Sequence, residues 1–364
     1  MKISQGQEQR ADGRAWAILR SVPRAAEWWE YKLVPILAIF YATAMAGGAQ
    51  PVDLWRTALV LLAALAPGAL YVSVLNDLTD RKDGAAAGKP NRMVLASPLL
   101  ATALLAIPLA VGALFLALWR DSPGLQLAYL AAWIVFTLYS LPPARLKRRG
   151  LAGVLADAAG SNLFPVLVAL GLVWRVAGEP SVAWGLAAGA WALAFGVRGI
   201  LWHQLGDRDN DAAAGVRTFA VLHSQKAVLR LGRAAAALEL AALAWLLVQL
   251  GSWAAVAALG VYLVAAGLKF VIWRILATLT EPGADRQLAG GDYYDVILPL
   301  ALLLSASAQD PRNLFVLAAH LVVFPNRWRV FVSELAALCD HIQRRTIKRA
   351  EWYWDRYRAR ASRQ

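Results

Sequence analysis

The sequence predicts an all-α, polytopic membrane bundle of about nine transmembrane helices, and three observations predict it. Of 364 residues, 59% are hydrophobic and 17% are charged, where a soluble domain carries about a quarter charged. The apolar residues fall in long runs, at 33–49, 58–75, 95–118, 151–173, 182–201, 234–250 and 253–270; most approach or exceed the roughly 20 residues that a helix needs to cross the hydrocarbon core. These runs are rich in Ala and Leu, good helix formers, and backbone amides in lipid must be satisfied within the chain.

In order, the spans read as 31–49, 55–76, 94–118, 125–141, 151–175, 181–206, 227–250 and 252–277, followed by an apolar region at 293–325. Residues 1–30 are polar and basic and read as a cytoplasmic amphipathic segment, without the short apolar core and cleavage site of a secretory signal. The membrane domain runs over 31–325, and 326–364 is a basic, aromatic tail. A single cysteine, Cys339, excludes an internal disulfide framework and a cysteine-based zinc site. The net charge of +13 does not call for nucleic acid, because basic residues beside spans follow the positive-inside rule.

That rule also orients the chain. The larger polar connections are 77–93, 145–150, 207–233 and 278–292; those between them, at 50–53, 120–124, 178–180 and 251–252, are short. Arg145, Lys147, Arg148 and Arg149 belong to the larger set, which is therefore expected on the cytoplasmic side of a bacterial-type inner membrane. The region 293–325 is interrupted by Gln309-Asp310-Pro311-Arg312-Asn313. Read as a hairpin of two short halves, it returns the basic tail to the cytoplasm. There the alternation Trp352, Tyr353, Trp354, Arg356, Tyr357 suits a helix lying on anionic lipid.

Two of the larger connections open on acidic clusters. The first is Asn76-Asp77-Leu78-Thr79-Asp80-Arg81-Lys82-Asp83, then Gly88-Lys89-Pro90-Asn91-Arg92. The second is Asp207-Arg208-Asp209-Asn210-Asp211, then Gly215-Val216-Arg217. Asp77, Asp80 and Asp83 are three apart, Asn76 precedes Asp80 by four, and His203, Asp207 and Asp211 are spaced by four. Residues so spaced share a helix face. Stacked carboxylates repel, and a sequence that stacks them twice at span ends is built to recruit a cation. All-oxygen donors suit Mg²⁺, which bridges to substrate phosphates, and Lys89, Arg92 and Arg217 add positive charge for those phosphates.

The first cluster resembles the Asn-Asp-x-x-Asp-x-x-x-Asp motif of the UbiA superfamily of intramembrane prenyltransferases, and the second resembles its Asp-x-x-x-Asp motif. Tyr139-Ser140-Leu141-Pro142-Pro143-Ala144-Arg145-Leu146-Lys147-Arg148 is similar to the segment these enzymes carry between spans four and five. The resemblance covers about residues 30–300. It implies transfer of an isoprenoid chain from a prenyl diphosphate to an aromatic or lipid acceptor. Asn76, Asp77 and Asp80 would hold one Mg²⁺ on the diphosphate, Asp207 and Asp211 a second, and Arg92 and Lys147 would bind diphosphate oxygens. Departure of the diphosphate leaves an allylic cation, which the faces of Tyr71, Tyr139 or Trp202 can steady. The family's third aspartate would fall at Gly84, so Asp83 comes one residue early. His203 stands where the family often has Tyr; it can orient an aspartate, bind the acceptor or accept a proton.

Two polar residues inside spans complete the expected set, because polar groups are costly in lipid. Arg198 is expected to face the bundle interior, pairing with a carboxylate or with substrate phosphate. Asn162 contacts the acceptor or links helices. Readings that keep the fold are phosphoribosyl transfer to a polyprenyl phosphate and cyclisation of the prenyl diphosphate. An ion-coupled transporter would place its acids near the midplane, whereas these cluster at span ends.

Overall fold

The computed structural model describes residues 25–80, 91, 93–94, 96–178 and 181–361, with side chains among these from Trp28 to Lys348 and at Trp352. The bundle begins with α1 (Ala25–Ala46), α2 (Trp55–Thr79), α3 (Pro98–Leu118) and α4 (Pro123–Ser140). Next, α5 (Leu151–Ala177) carries a π-helical turn at Ala159–Leu163, and α6 (Val182–Gly206), α7 (Gln225–Leu250) and α8 (Trp253–Trp273) follow. Finally, α9 is a π-helical turn (Tyr293–Ile297) continued by Leu298–Gln309, before α10 (Asn313–Val323) and α11 (Pro325–Ala361). Seven helices among the described residues are long and apolar enough to cross a bilayer, with α10 and the first part of α11 as a bent eighth candidate, so the expected nine is an approximate count. One exception to an all-helical chain is a parallel pair of three-residue strands, Leu276–Thr278 with Arg286–Leu288.

Local sequence sets the helix starts. Ser97, Ser181, Ser224 and Ser252 each accept a hydrogen bond from the backbone amide three residues on, capping α3, α6, α7 and α8. Gly251, at φ +61°, ends α7 in the left-handed conformation and turns the chain directly into α8. Packing then selects the centre. From Leu33 to Ala44, α1 is almost wholly buried, and α6 buries Trp184, Ala188, Trp191, Ala192 and Leu201. Gly196 of α6 makes the close approach to α5 possible: a Cβ there would lie 2.8 Å from the Ala158 Cα, the small-residue contact that membrane helices use.

Consecutive helices alternate in direction, so the ends of α2, α4 and α6 share one end of the bundle with the start of α1. Gln50 and Val52, at the opposite end, bond to Asn313 at the start of α10. Arg327, just beyond α10, is back at the first end, where it pairs with Asp292 at 2.9 Å and Asp295 at 3.4 Å. Glu30 at the start of α1 accepts from Asn326 there. The region 293–325 is thus a helical hairpin, after which α11 bends away from α10 by 88°.

Arg198 takes the first of its two expected partners, a carboxylate inside the bundle. Its guanidinium grips Glu239 of α7 with two hydrogen bonds of 2.6 and 2.7 Å, and both side chains are 2% exposed. Two further donors go to the carbonyls of Leu279 and Ala289, and Tyr294 donates to the same Glu239 carboxylate. Four of the guanidinium's five N–H groups are thus engaged within the fold. It ties α6 and α7 to the strand segment and to α9. Replacing Glu239 by Ala strands that charge, and the expected loss is about 3–5 kcal/mol, read as a large drop in the thermal midpoint of the detergent-solubilised protein. Arg198→Met combined with Glu239→Leu is expected to recover much of it.

Candidate active site

The first acidic cluster emerges where α2 ends. Asn76 and Asp77 lie in its last turn, and Asp80 caps it, its amide bonding back to the Asn76 carbonyl. Asp77 is buried (4% exposed), and Asn91 holds the helix end by donating to the Asp77 carbonyl at 2.6 Å. Across from it, the segment after α4 turns through Leu141-Pro142-Pro143, with a cis peptide before Pro143, and Arg145 in the left-handed region at φ +38°. That segment lies tight against α5 because residue 153 is glycine: a Cβ there would meet the Leu146 carbonyl at 2.7 Å.

This arrangement delivers Lys147 to the first cluster. Its ammonium lies 2.7 Å from Asn76 Oδ1 and 2.6 Å from Asp80 Oδ1. Arg145 donates to the same Asp80 oxygen at 2.9 Å and to the Thr79 carbonyl. Burial pushes the Lys147 ammonium below the ordinary lysine pKa, with Asp80 opposing the shift. The two oxygens therefore converge on a point that a cation fills.

The second cluster sits at the end of α6. Asp207 caps that helix and starts the short helix Arg208–Ala213, where the amide of Asp211 bonds to the Asp207 carbonyl, so the two are one turn apart. Tyr139, at the end of α4, lies within electrostatic reach of both Asp80 and Asp211. Arg217 is exposed beyond the second cluster. Asp83, Lys89 and Arg92 lie outside the described residues.

Beneath Asn76 opens a cavity of about 310 Å³ between α1, α2, α4 and α5. Its wall includes the aromatic side chains of Trp28, Tyr71, Tyr129, Trp133 and Phe136. Tyr71 is anchored by a 2.9 Å hydrogen bond to Thr137 and packs against Trp133 at 5.1 Å. Trp202 does not line it. Polar groups collect on one side. Lys32 of α1 donates to Ser161 and Asn162 of the π-helical turn, at 3.3 and 3.2 Å. Asp157, one turn earlier, lines the cavity within electrostatic reach of Lys32 and His203. His203 itself is exposed at the motif end.

Sequence reasoning passed over Lys32, Asp157 and the Arg145 contact. Lys32 and Asp157 are single charges within apolar runs, and that signal could have found them. Nothing in the spacing pairs Arg145 with Asp80, 65 residues away.

Among the described residues, no three His, Cys, Asp or Glu side chains converge to cage a metal. The donor set nevertheless fits Mg²⁺, which is held through one or two carboxylates and completes its shell with waters and phosphate oxygens. Asn76 and Asp80 already focus two such oxygens on one cation, and Asp207 and Asp211 offer more.

Among curated proteins no sequence matches this chain. Among solved structures, a UbiA homolog from Archaeoglobus fulgidus is similar at 17% identity, over 84% of this chain and 99% of that one, with a TM-score of 0.50. That homolog bound to GPP and Mg²⁺, and bound to DMAPP and Mg²⁺, matches at 17% identity, 88% and 98% coverage, and TM-scores of 0.47. The UbiA prenyltransferase family matches the sequence over residues 34–287, from within α1 to the second strand. With most of its length so matched, and with both acidic clusters inside that stretch, this chain belongs to the UbiA prenyltransferase family.

Proposed function

We propose that the protein transfers a prenyl group from a prenyl diphosphate to an aromatic or lipid acceptor within the membrane, with Mg²⁺. The observation that carries this reading is the convergence of Asn76 and Asp80 on one cation, directly above an aromatic-walled cavity. Mg²⁺ would supply charge that stabilises the departing diphosphate. Asn76, Asp80, Asp207 and Asp211 would hold it, with Asp77 buried behind them. The basic loop residues favour the cytoplasmic side for this end.

The chain's own groups have separable tasks. Lys147 is poised to leave Asp80 for diphosphate oxygens, giving direct charge where charge develops. The prenyl tail lies in the cavity, where the faces of Tyr71, Trp133 and Phe136 steady positive charge at the allylic carbon. When that carbon bonds to the acceptor, the acceptor gives up a proton. Asp157 faces the cavity and takes it; His203 beyond it offers an exit to water. Lys32, Ser161 and Asn162 orient the acceptor's polar group.

Three outcomes are expected. Asp80→Ala and Asp207→Ala abolish Mg²⁺-dependent binding of geranyl diphosphate by the purified protein, measured by calorimetry, as does chelation; binding that survives all three sinks the metal-bridge reading. Lys147→Met weakens the diphosphate by about tenfold or more, near 1.4 kcal/mol. Diphosphate release is then followed across a panel of phenolic, quinone-precursor and lipid acceptors. With any acceptor that supports turnover, Asp157→Asn slows it by at least about 100-fold and leaves geranyl diphosphate affinity unchanged.

A further inference from the structure

The cavity has an end as well as a mouth. Its mouth is Asn76, and along α2 its wall runs through Ser73, Val72, Ala69, Gly68 and Leu65 to Ala64. The twelve residues between Ala64 and Asn76 span about 18 Å at the helical rise. The wall residues of α2 below Val72 are mostly small, so the hollow exists because side-chain volume is missing there. Opposite Ala64, at the bottom, stands a large side chain. Tyr129 of α4 reaches across to α2 and donates its hydroxyl to the Ala64 carbonyl at 2.9 Å. Its ring is 1% exposed and backed by Trp119 at 5.1 Å, with Phe115 behind. A ring hydrogen-bonded at its tip and packed edge-to-face at its back is held in place.

We propose that Tyr129 is the floor that limits the length of the prenyl chain, so that the donor is a short prenyl diphosphate of two or three isoprene units. This rests on the prenyl-transfer reading of the same site. Two magnitudes bound the length. An apolar cavity of about 150 Å³ holds one benzene ring, so 310 Å³ holds no more than roughly ten to fifteen carbons, and an acceptor beside Lys32 takes part of that. An extended chain advances about 1.2 Å per bond. With the top turn of the 18 Å given to the diphosphate and the reacting carbon, about 13 Å remain, which matches the twelve-carbon backbone of a farnesyl chain. A geranylgeranyl chain would have to displace Tyr129, break its bond to Ala64 and press on Trp119.

The test is Mg²⁺-dependent binding of dimethylallyl, geranyl, farnesyl and geranylgeranyl diphosphate to the full chain, by calorimetry. In the wild type, geranylgeranyl diphosphate is expected to bind at least about tenfold more weakly than farnesyl diphosphate. Tyr129→Ala opens the floor and brings the two within about threefold, with geranyl diphosphate unchanged; Tyr129→Phe keeps the ring and the wild-type order. Ala69→Phe fills the hollow from the opposite wall: farnesyl diphosphate weakens at least about tenfold and dimethylallyl diphosphate is spared. The two variants move preference in opposite directions, which loss of stability does not do. Should Tyr129→Ala not fold, Ala69→Phe decides alone. A wild type that binds the longer chain as well as farnesyl, or an order unmoved by the variants, overturns the floor while leaving prenyl transfer standing. If no prenyl diphosphate binds with Mg²⁺, the prenyl-transfer reading falls and the floor falls with it.

Discussion

A charge buried among apolar helices has to be met by an opposite charge or by several hydrogen bonds, because the surroundings supply no water to do it. Among the described residues, three such meetings organise much of the bundle. Arg198 and Glu239 lock α6 to α7 and draw in the strand segment and α9. Lys269, 2% exposed, is met by Asp292 and Glu334, and Arg327 joins the same Asp292, so α8, α9 and the start of α11 are fastened together. Lys147 and Arg145 meet Asp80 at the mouth of the cavity. The first is a closed network inside the fold, and the second is closed around Lys269 but reaches the surface at Glu334. The third is partly exposed and lies beside the cavity, where it can be exchanged.

That difference in exposure separates scaffold from site. A bidentate fork between fully buried partners is costly to open, since either partner left alone is an uncompensated charge. Lys147 instead contacts two oxygens of a kind that Mg²⁺ also binds, at a place where Asp80 remains 30% exposed. One cation can therefore replace another there at modest cost. The cavity beneath adds the complementary property, an apolar volume with polarizable ring faces and a few polar groups on one wall.

A family's motifs do not exhaust the residues around a member's cavity. The motifs lie at helix ends, where spacing along the chain maps directly onto a face. The groups that shape the cavity lie on different helices, away from the motifs, and nothing in their spacing brings them together. Lys32, Asp157 and Tyr129 come from α1, α5 and α4. Each becomes meaningful only through what packs opposite it.

The sequence by itself determined a good deal. Long apolar runs located the helices to within several residues, since lipid leaves the backbone only one economical form. Acidic clusters at the ends of α2 and α6 marked a candidate site, because three- and four-residue spacings present side chains on one face. The interrupted run at 309–313 marked the hairpin. Tertiary structure decided the rest. Arg198 reads in sequence as a site residue, yet its partner Glu239 lies 41 residues away on another helix. Which face each helix turns inward, and how closely Gly153 and Gly196 let neighbours approach, fixed where Lys147 would sit and where a cavity would remain. Those are properties of packed surfaces, and a periodicity read along one chain does not contain them.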